Sequence, residues 1–188
     1  TSGVTGPAVA NVPWTSVPSS SDTVANAQSA AVLANNIGER LRRVRHHIGD
    51  DEYFLANYAD GLSDLDLDPY VDAFVGSGNV AQFLTVRAPH TFHVVHADAD
   101  GYVQGLEHVG HSTVRVSAGF FVFRRDVFDV MREGEELVIE PFERLMQQRR
   151  LIAVGYDGFW QNMDTFKDKV ELDAIAAGDA PPWQVWNH

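Results

Sequence analysis

Glu52–Asp68, EYFLANYADGLSDLDLD, opens as a short apolar run with aromatics, set between acidic residues and an Asp-Gly pair. That pattern predicts a buried strand ending at a tight turn. The turn delivers a carboxylate, Asp60, just past the strand's carboxyl end, and Gly61 supplies backbone freedom there. In open α/β sheets that rim is where ligands bind. An ordinary loop after a core strand has the same local look, so Asp60 needs a partner elsewhere in the chain.

Upstream, Ile37–Gly49 places Leu41, Val44 and Ile48 on one helical face, with glycines at Gly38 and Gly49. Arg40, Arg42, Arg43 and Arg45 fill other positions and read as a solvated face, or as a place where one guanidinium meets a phosphate. Residues 1–36 differ in composition: Ser, Ala, Val, Asn, Thr and Pro, with no Lys, Arg or Glu before position 39. Pro7, Pro13 and Pro18 leave no long periodic element there, and only Val24–Ala34 suggests a short helix. The expected division is an irregular segment over 1–36 and a folded domain over 37–188.

Downstream, Asp68-Pro69 predicts an N-cap and first helical residue, with the helix stopping at Gly76-Ser77-Gly78. Ala81–Val86 predicts a strand, and Thr91–His96 with Tyr102–Glu107 a hairpin closed by Asp98–Gly101. Val114–Phe123 is the strongest strand pattern in the chain. Arg125–Met131 predicts a short helix, and Glu140-Pro141 opens another with Phe142, Leu145 and Met146 inward. Leu151–Tyr156 predicts a strand. Thr165 and Asp168 predict a capping box for a helix to about Ala177. The tail, APPWQVW, carries two tryptophans that need cover. Strands alternating with helices predict α/β with a mixed sheet.

The chain has 188 residues, 14 Lys and Arg against 26 Asp and Glu, and a formal net charge of -12. Such a field repels nucleic acid and anionic membranes, so neither is an expected partner. An anionic small substrate then needs a local cluster of cations or a metal. With no cysteine, disulfides and thiolate metal sites are excluded. No apolar run is long enough to span a bilayer, and a cytoplasmic protein is expected.

Three groups could carry chemistry. Asp60 and Asp164 each stand at a junction with a loop, and two aspartates sharing one Mg²⁺ is a common way to handle a triphosphate. His93, His96, His108 and His111 could bind zinc across a hairpin, yet His93 and His96 fall on opposite faces of a strand. Lys167 and Lys169 at helical spacing read as solvated. No nucleophile triad order or Gly-rich phosphate loop is present.

Taken together, FLANYADGLSDLDL, GFFVFRRDVFDVMREGEELVIEPFERL, YDGFWQNMDTFKDKVELD and APPWQVW resemble the glucose-1-phosphate cytidylyltransferase group of sugar-phosphate nucleotidyltransferases, in order from about Gly38 to Trp186. The resemblance implies a Rossmann-like nucleotidyltransferase (GT-A-like) fold, a mixed sheet flanked by helices, truncated at the amino terminus. It implies attack of a sugar 1-phosphate on the α-phosphate of CTP, giving CDP-glucose and pyrophosphate, with Mg²⁺ as cofactor. Asp60 matches the family's metal-binding aspartate after the central strand, and Asp164 the second. Glu107 falls near a Glu-Lys pair that holds the sugar and its phosphate, and Ala118-Gly119 at a Gly-Gly beside the sugar. Gly61, Ser117 and Lys167 join the substrate-binding set on the same footing.

Departures accompany the match. The family's amino-terminal half, with its Gly-rich loop and base-selecting contacts, has no counterpart here. The Lys of the Glu-Lys pair is His108, and the Asn before Gly-Gly is Ser117. A second reading follows: a non-catalytic sugar-phosphate-binding remnant of the same fold. A third, a histidine metal protein, rests on the hairpin alone. Missing first strands would leave an open sheet edge, from which self-association is expected.

Overall fold

The computed structural model describes residues 36–88 and 92–185. The segment before residue 36, with its Ala-rich stretch, and Thr91 and Trp186 lie outside the described residues.

Helix α1 (Ile37–Ile48) begins where the Asn36 side chain accepts from the Glu39 N–H at 2.9 Å, and it buries Leu41 and Ile48. Glu39 takes up Arg42 at 3.0 Å and Arg43 at 3.3 Å, and Arg45 lies 5.2 Å over the Phe128 ring. These arginines therefore dress a helix surface. Their exposed ion pairs add little stability.

Strand β1 (Tyr53–Ala56) follows, and the chain turns at Ala59-Asp60. Gly61 then starts a strand of its own, β2 (Gly61–Ser63), where a loop was expected. Helix α2 (Leu67–Ser77) starts two residues earlier than Asp68-Pro69 predicts. Asp66, not Asp68, does the capping, accepting from the Asp68 N–H at 3.2 Å. Pro69 sits in the first turn, where its missing N–H would have had no partner in the helix.

Strand β3 (Ala81–Arg87) and the hairpin of β4 (His93–Ala97) and β5 (Val103–His108) come next. A single 3₁₀ turn (Val109–His111) leads into β6 (Arg115–Arg124). Helix α3 is only Val127–Val130, shorter than Arg125–Met131 predicts, because Arg125 and Asp126 form its entering turn. Helix α4 (Glu140–Gln147) buries Phe142 and Leu145, while Met146 is 56% exposed. Met146 is rotated a step of about 100° past Leu145, off the inner stripe. Strand β7 (Leu151–Tyr156) matches its expected limits, a short β8 (Trp160–Asn162) follows, and helix α5 (Phe166–Ala176) closes the described chain.

Among the described residues the strands form one four-stranded sheet in the order β1-β6-β3-β7 and two ladders, β2–β8 and β4–β5. The chain divides into two compact units. The first takes residues up to Ala59, Ala73–Gln82 and Phe121–Ile152; the second takes Asp60–Asp72, Phe83–Phe120 and the residues from Ala153 onward. In the first, β1 pairs antiparallel with β6, Phe54 opposite Phe123. Phe54 is 1% exposed, with ring centroids of Phe123 at 5.5 Å and Phe128 at 5.6 Å. In the second, Leu84, Val86, Tyr70, Val71 and Leu172 are buried, and Trp183 of the tail lies 5.8 Å from Phe159.

Candidate functional site

Every residue in the expected site set belongs to the second unit. Its organising feature is the β2–β8 ladder, with Gly61 opposite Asn162 and Ser63 opposite Trp160. The ladder runs on past its named ends. The Met163 N–H donates to the Asp60 carbonyl at 2.9 Å, and the Asp64 N–H to the Phe159 carbonyl at 3.2 Å. Antiparallel pairing thus sets Asp60 beside Met163 and places Asp164 one residue later at the same end. Both aspartates are exposed.

Asp164 is positioned further by its neighbours. Asn162 Nδ2 donates to its carboxylate, and its own N–H donates to Asp168 Oδ2 at 3.2 Å. Asp168 is half of the expected capping box. It accepts from the Thr165 N–H at 2.8 Å, while Thr165 Oγ1 accepts from the Asp168 N–H at 3.2 Å. Hydrogen bonding from the Thr165 hydroxyl first, and then from its N–H, holds the Asp168 carboxyl below the usual range. Asp60 and Asp164 are thus exposed carboxylates whose backbones share one ladder end. Among the described residues no group of three or more His, Cys, Asp or Glu could hold a metal. Two protein carboxylates, completed by water and substrate phosphates, is a donor set that suits Mg²⁺.

Trp160 links the ladder to β6. Its Nε1–H donates to the Ala118 carbonyl at 3.1 Å, and a Cβ added at Gly61 would lie 3.6 Å from the same nitrogen. Ala118 and Gly119 are buried, and Ser117 is exposed. Gly119 has φ 76° and Phe120 φ 49°, so β6 kinks through two left-handed residues. The Phe120 carbonyl accepts from the Tyr70 hydroxyl at 2.8 Å, which steadies the kink. The Trp160 indole therefore links the Gly61 backbone to Ala118, from the end of the ladder away from Asp60 and Asp164. Glu107 and Lys167 are engaged elsewhere. Glu107 lies 3.9 Å from His96 on the hairpin, and Lys167 lies 3.6 Å from Glu171 on α5.

A second cluster was not foreseen from the sequence. Arg115 Nη1 donates to the carbonyls of Thr85 at 3.0 Å and Tyr156 at 3.1 Å, and Nη2 donates to Asp157 at 2.7 Å. Arg87 reaches the same Asp157 oxygen at 3.3 Å. The Arg115 hydrogen bond foremost holds the Asp157 carboxyl below its usual range. The Tyr156 hydroxyl donates to Asp64, and burial, followed by that hydrogen bond and the Asp64 charge, pushes the phenol up to about 12. A Cβ at Gly158 would collide with the Tyr156 oxygen, so the corner admits only glycine. These residues surround a cleft of about 190 Å³ lined by Val86, Arg87, Tyr156, Asp157, Gly158 and Trp160. The only local signal was Asp157-Gly158, which marks a turn and says nothing of a partner at Asp64 or Arg115.

The hairpin sorts its histidines as strand geometry requires. His93 stands opposite His108, with ring centroids 5.4 Å apart, and His111 lies 5.0 Å from His108. His96 is on the other face, with Glu107.

No protein-family model matches the chain. Over 150 residues, 79% of its length, it is 33% identical to a glucose-1-phosphate cytidylyltransferase of Salmonella typhi and equally to that of Salmonella typhimurium. The chain spans 58% of the length of each of these relatives. Among solved structures it is similar to a Bacillus anthracis protein described as a glucose-1-phosphate thymidylyltransferase in complex with sucrose. The TM-score is 0.58 and the identity 19%, with 76% of this chain and 61% of that one covered. The described fold is thus that of the sugar-1-phosphate nucleotidyltransferases, and the sequence resembles the cytidylyltransferases among them.

Proposed function

We propose that this chain is part of a sugar-1-phosphate nucleotidyltransferase that joins glucose 1-phosphate to CTP and releases pyrophosphate. The observation that carries this is the β2–β8 ladder, which brings the Asp60 and Asp164 backbones to one end, while Trp160 of its second strand donates to the Ala118 carbonyl. An oxygen of the sugar phosphate attacks the α-phosphorus of CTP; one P–O bond forms as the bond to the β-phosphate oxygen breaks. The protein's task in such a displacement is to position and to neutralise charge. Asp60 and Asp164 would hold Mg²⁺, which when bound offsets the charge on the transferring phosphate. Ala118-Gly119, Gly61 and Ser117 would line the sugar, with Glu107 and Lys167 as further substrate contacts. A cytoplasmic location, a role in making nucleotide sugars for polysaccharide, and self-association belong to the same proposal.

The test is pyrophosphate release from CTP and glucose 1-phosphate with Mg²⁺, alongside calorimetric binding of glucose 1-phosphate. Asp60→Asn and Asp164→Asn should each lower release by about 100-fold or more, because each removes charge that faces the transferring group. Release that neither variant alters would reject this assignment of the aspartates. Ser117 and His108, which stand where the family's pattern has Asn and Lys, favour one other reading, a sugar-phosphate-binding module without turnover. Metal-dependent binding with no release in the folded chain would select it.

A further inference from the structure

We propose that Asn162 is a positioning residue that commits Asp164 to holding a cation through a single oxygen, and that this makes the site prefer Mg²⁺ over Ca²⁺. The role rests on the function proposed above, in which Asp164 is a metal ligand. Asn162 closes β8, opposite Gly61. The pairing continues one residue further, where the Met163 N–H meets the Asp60 carbonyl at 2.9 Å. Residues two apart on extended backbone lie on the same side. Asn162 and Asp164 are such a pair, and Nδ2 of the first donates to Oδ2 of the second.

The two oxygens of Asp164 are therefore unequal. Oδ2 is engaged by the amide, while among the described residues no hydrogen bond or ion pair ends on Oδ1. The cations next along the chain do not compete for it. Lys167 lies 3.6 Å from Glu171, and Lys169 donates to Asp173 at 2.5 Å. The backbone is fixed as well. The Asp164 N–H donates to Asp168 Oδ2 at 3.2 Å, and Asp168 is held in the capping box. Asn162 is half-buried within the ladder and Asp164 is exposed beyond it. The amide is thus the better-held partner, and it orients the carboxylate.

One-oxygen ligation is selective. Mg²⁺ is small, asks for near-ideal octahedral geometry and keeps several waters. Ca²⁺ takes about six to eight oxygens, and a carboxylate can serve it with both of its own. An Oδ2 held by an amide is withdrawn from that second mode. Releasing it lets the carboxylate turn and chelate. A ligand already oriented also has less freedom to lose when Mg²⁺ binds, which is how partners behind a metal ligand come to affect affinity.

The experiment measures binding of Mg²⁺ alone and of Ca²⁺ alone to the full chain by calorimetry, with side-chain amide NMR alongside. Asn162→Ala should weaken Mg²⁺ by about tenfold and leave Ca²⁺ within about twofold. The ratio of the two affinities then falls by about fivefold or more, with the backbone amide spectrum otherwise unchanged. Asn162→Asp removes the donor and adds an oxygen, so it should raise Ca²⁺ affinity above that of the native chain. Loss of packing alone would weaken both ions together and leave their ratio as it was, which would overturn the selectivity role. Without metal, one proton of the Asn162 side-chain amide should be shifted by its carboxylate acceptor and should revert in Asp164→Ala. An amide that ignores Asp164→Ala would overturn the contact itself. Mg²⁺ that binds Asp164→Ala as well as the native chain, or a native chain that binds neither ion, rejects the assignment of Asp164 as a metal ligand and this role with it. Mg²⁺ that is lost in Asp164→Ala yet indifferent to Asn162→Ala, in affinity and in preference over Ca²⁺, overturns the role of Asn162 alone.

Discussion

The Tyr156 hydroxyl and the Asp64 carboxylate meet across 92 residues of chain, and their contact has a measurable signature. With its phenol pushed up to about 12, Tyr156 keeps its proton in the folded chain where an unfolded one loses it near pH 10. The folded state therefore binds the proton more tightly. The stability so contributed is full below pH 10 and is lost as pH rises from there towards about 12. Ultraviolet titration should show a late-ionising tyrosine that disappears in Tyr156→Phe. Below pH 10 that variant should be less stable by about 1 kcal/mol, and the two stability curves should converge at higher pH. An early-titrating Tyr156 would mean that the Asp64 contact is not made in solution. At this scale the sequence was uneven. Asp60 and Asp164 could be picked out, because Asp-Gly and a helix start are local patterns. Asp64, Arg115 and Trp160 could not, because their partners lie far along the chain and leave no trace in local spacing.

Helix α5 shows what local pattern does specify. Thr165 and Asp168, three apart, form the capping box that their spacing predicts. Thr165→Ala should lower stability by about 1 kcal/mol in urea unfolding. A change near zero would mean that the box forms without holding the helix start. The same element seats Asp164, so the loss should be accompanied by altered chemical shifts at Asn162 and Asp164. Strands β2 and β8 are the opposite case. Each is three residues long and half-buried throughout, too short for a period-two pattern to rise above chance. They exist because each pairs with the other. Helix α2 sits between the cases, its body legible and its cap displaced from Asp68 to Asp66, since either aspartate can accept from a first-turn N–H.

For the molecule as a whole, stability follows from burial in each unit. Phe54, 1% exposed against Phe123 and Phe128, is the residue through which to test the first unit. Phe54→Ala should cost about 3–5 kcal/mol in chemical unfolding, from lost transfer energy and the cavity left behind. A cost under about 1 kcal/mol would mean that this aromatic cluster is not packed as described. The net charge of -12 sets the field around any anionic substrate, so the groups that bind one must be gathered locally. By itself the sequence determined the α/β class, most element positions, the capping box, and Asp60 and Asp164 as the carboxylates to watch. Those are matters of composition, period and short spacing, which the chain states within a few residues. Only the tertiary structure decided that Asp60 and Asp164 share one ladder end, that Trp160 ties the ladder to β6, that Met146 faces outward, and that His108 meets both His93 and His111. Each of these depends on which distant segments pair and in what register, and a register is set by the burial of whole faces rather than by any one residue's neighbours.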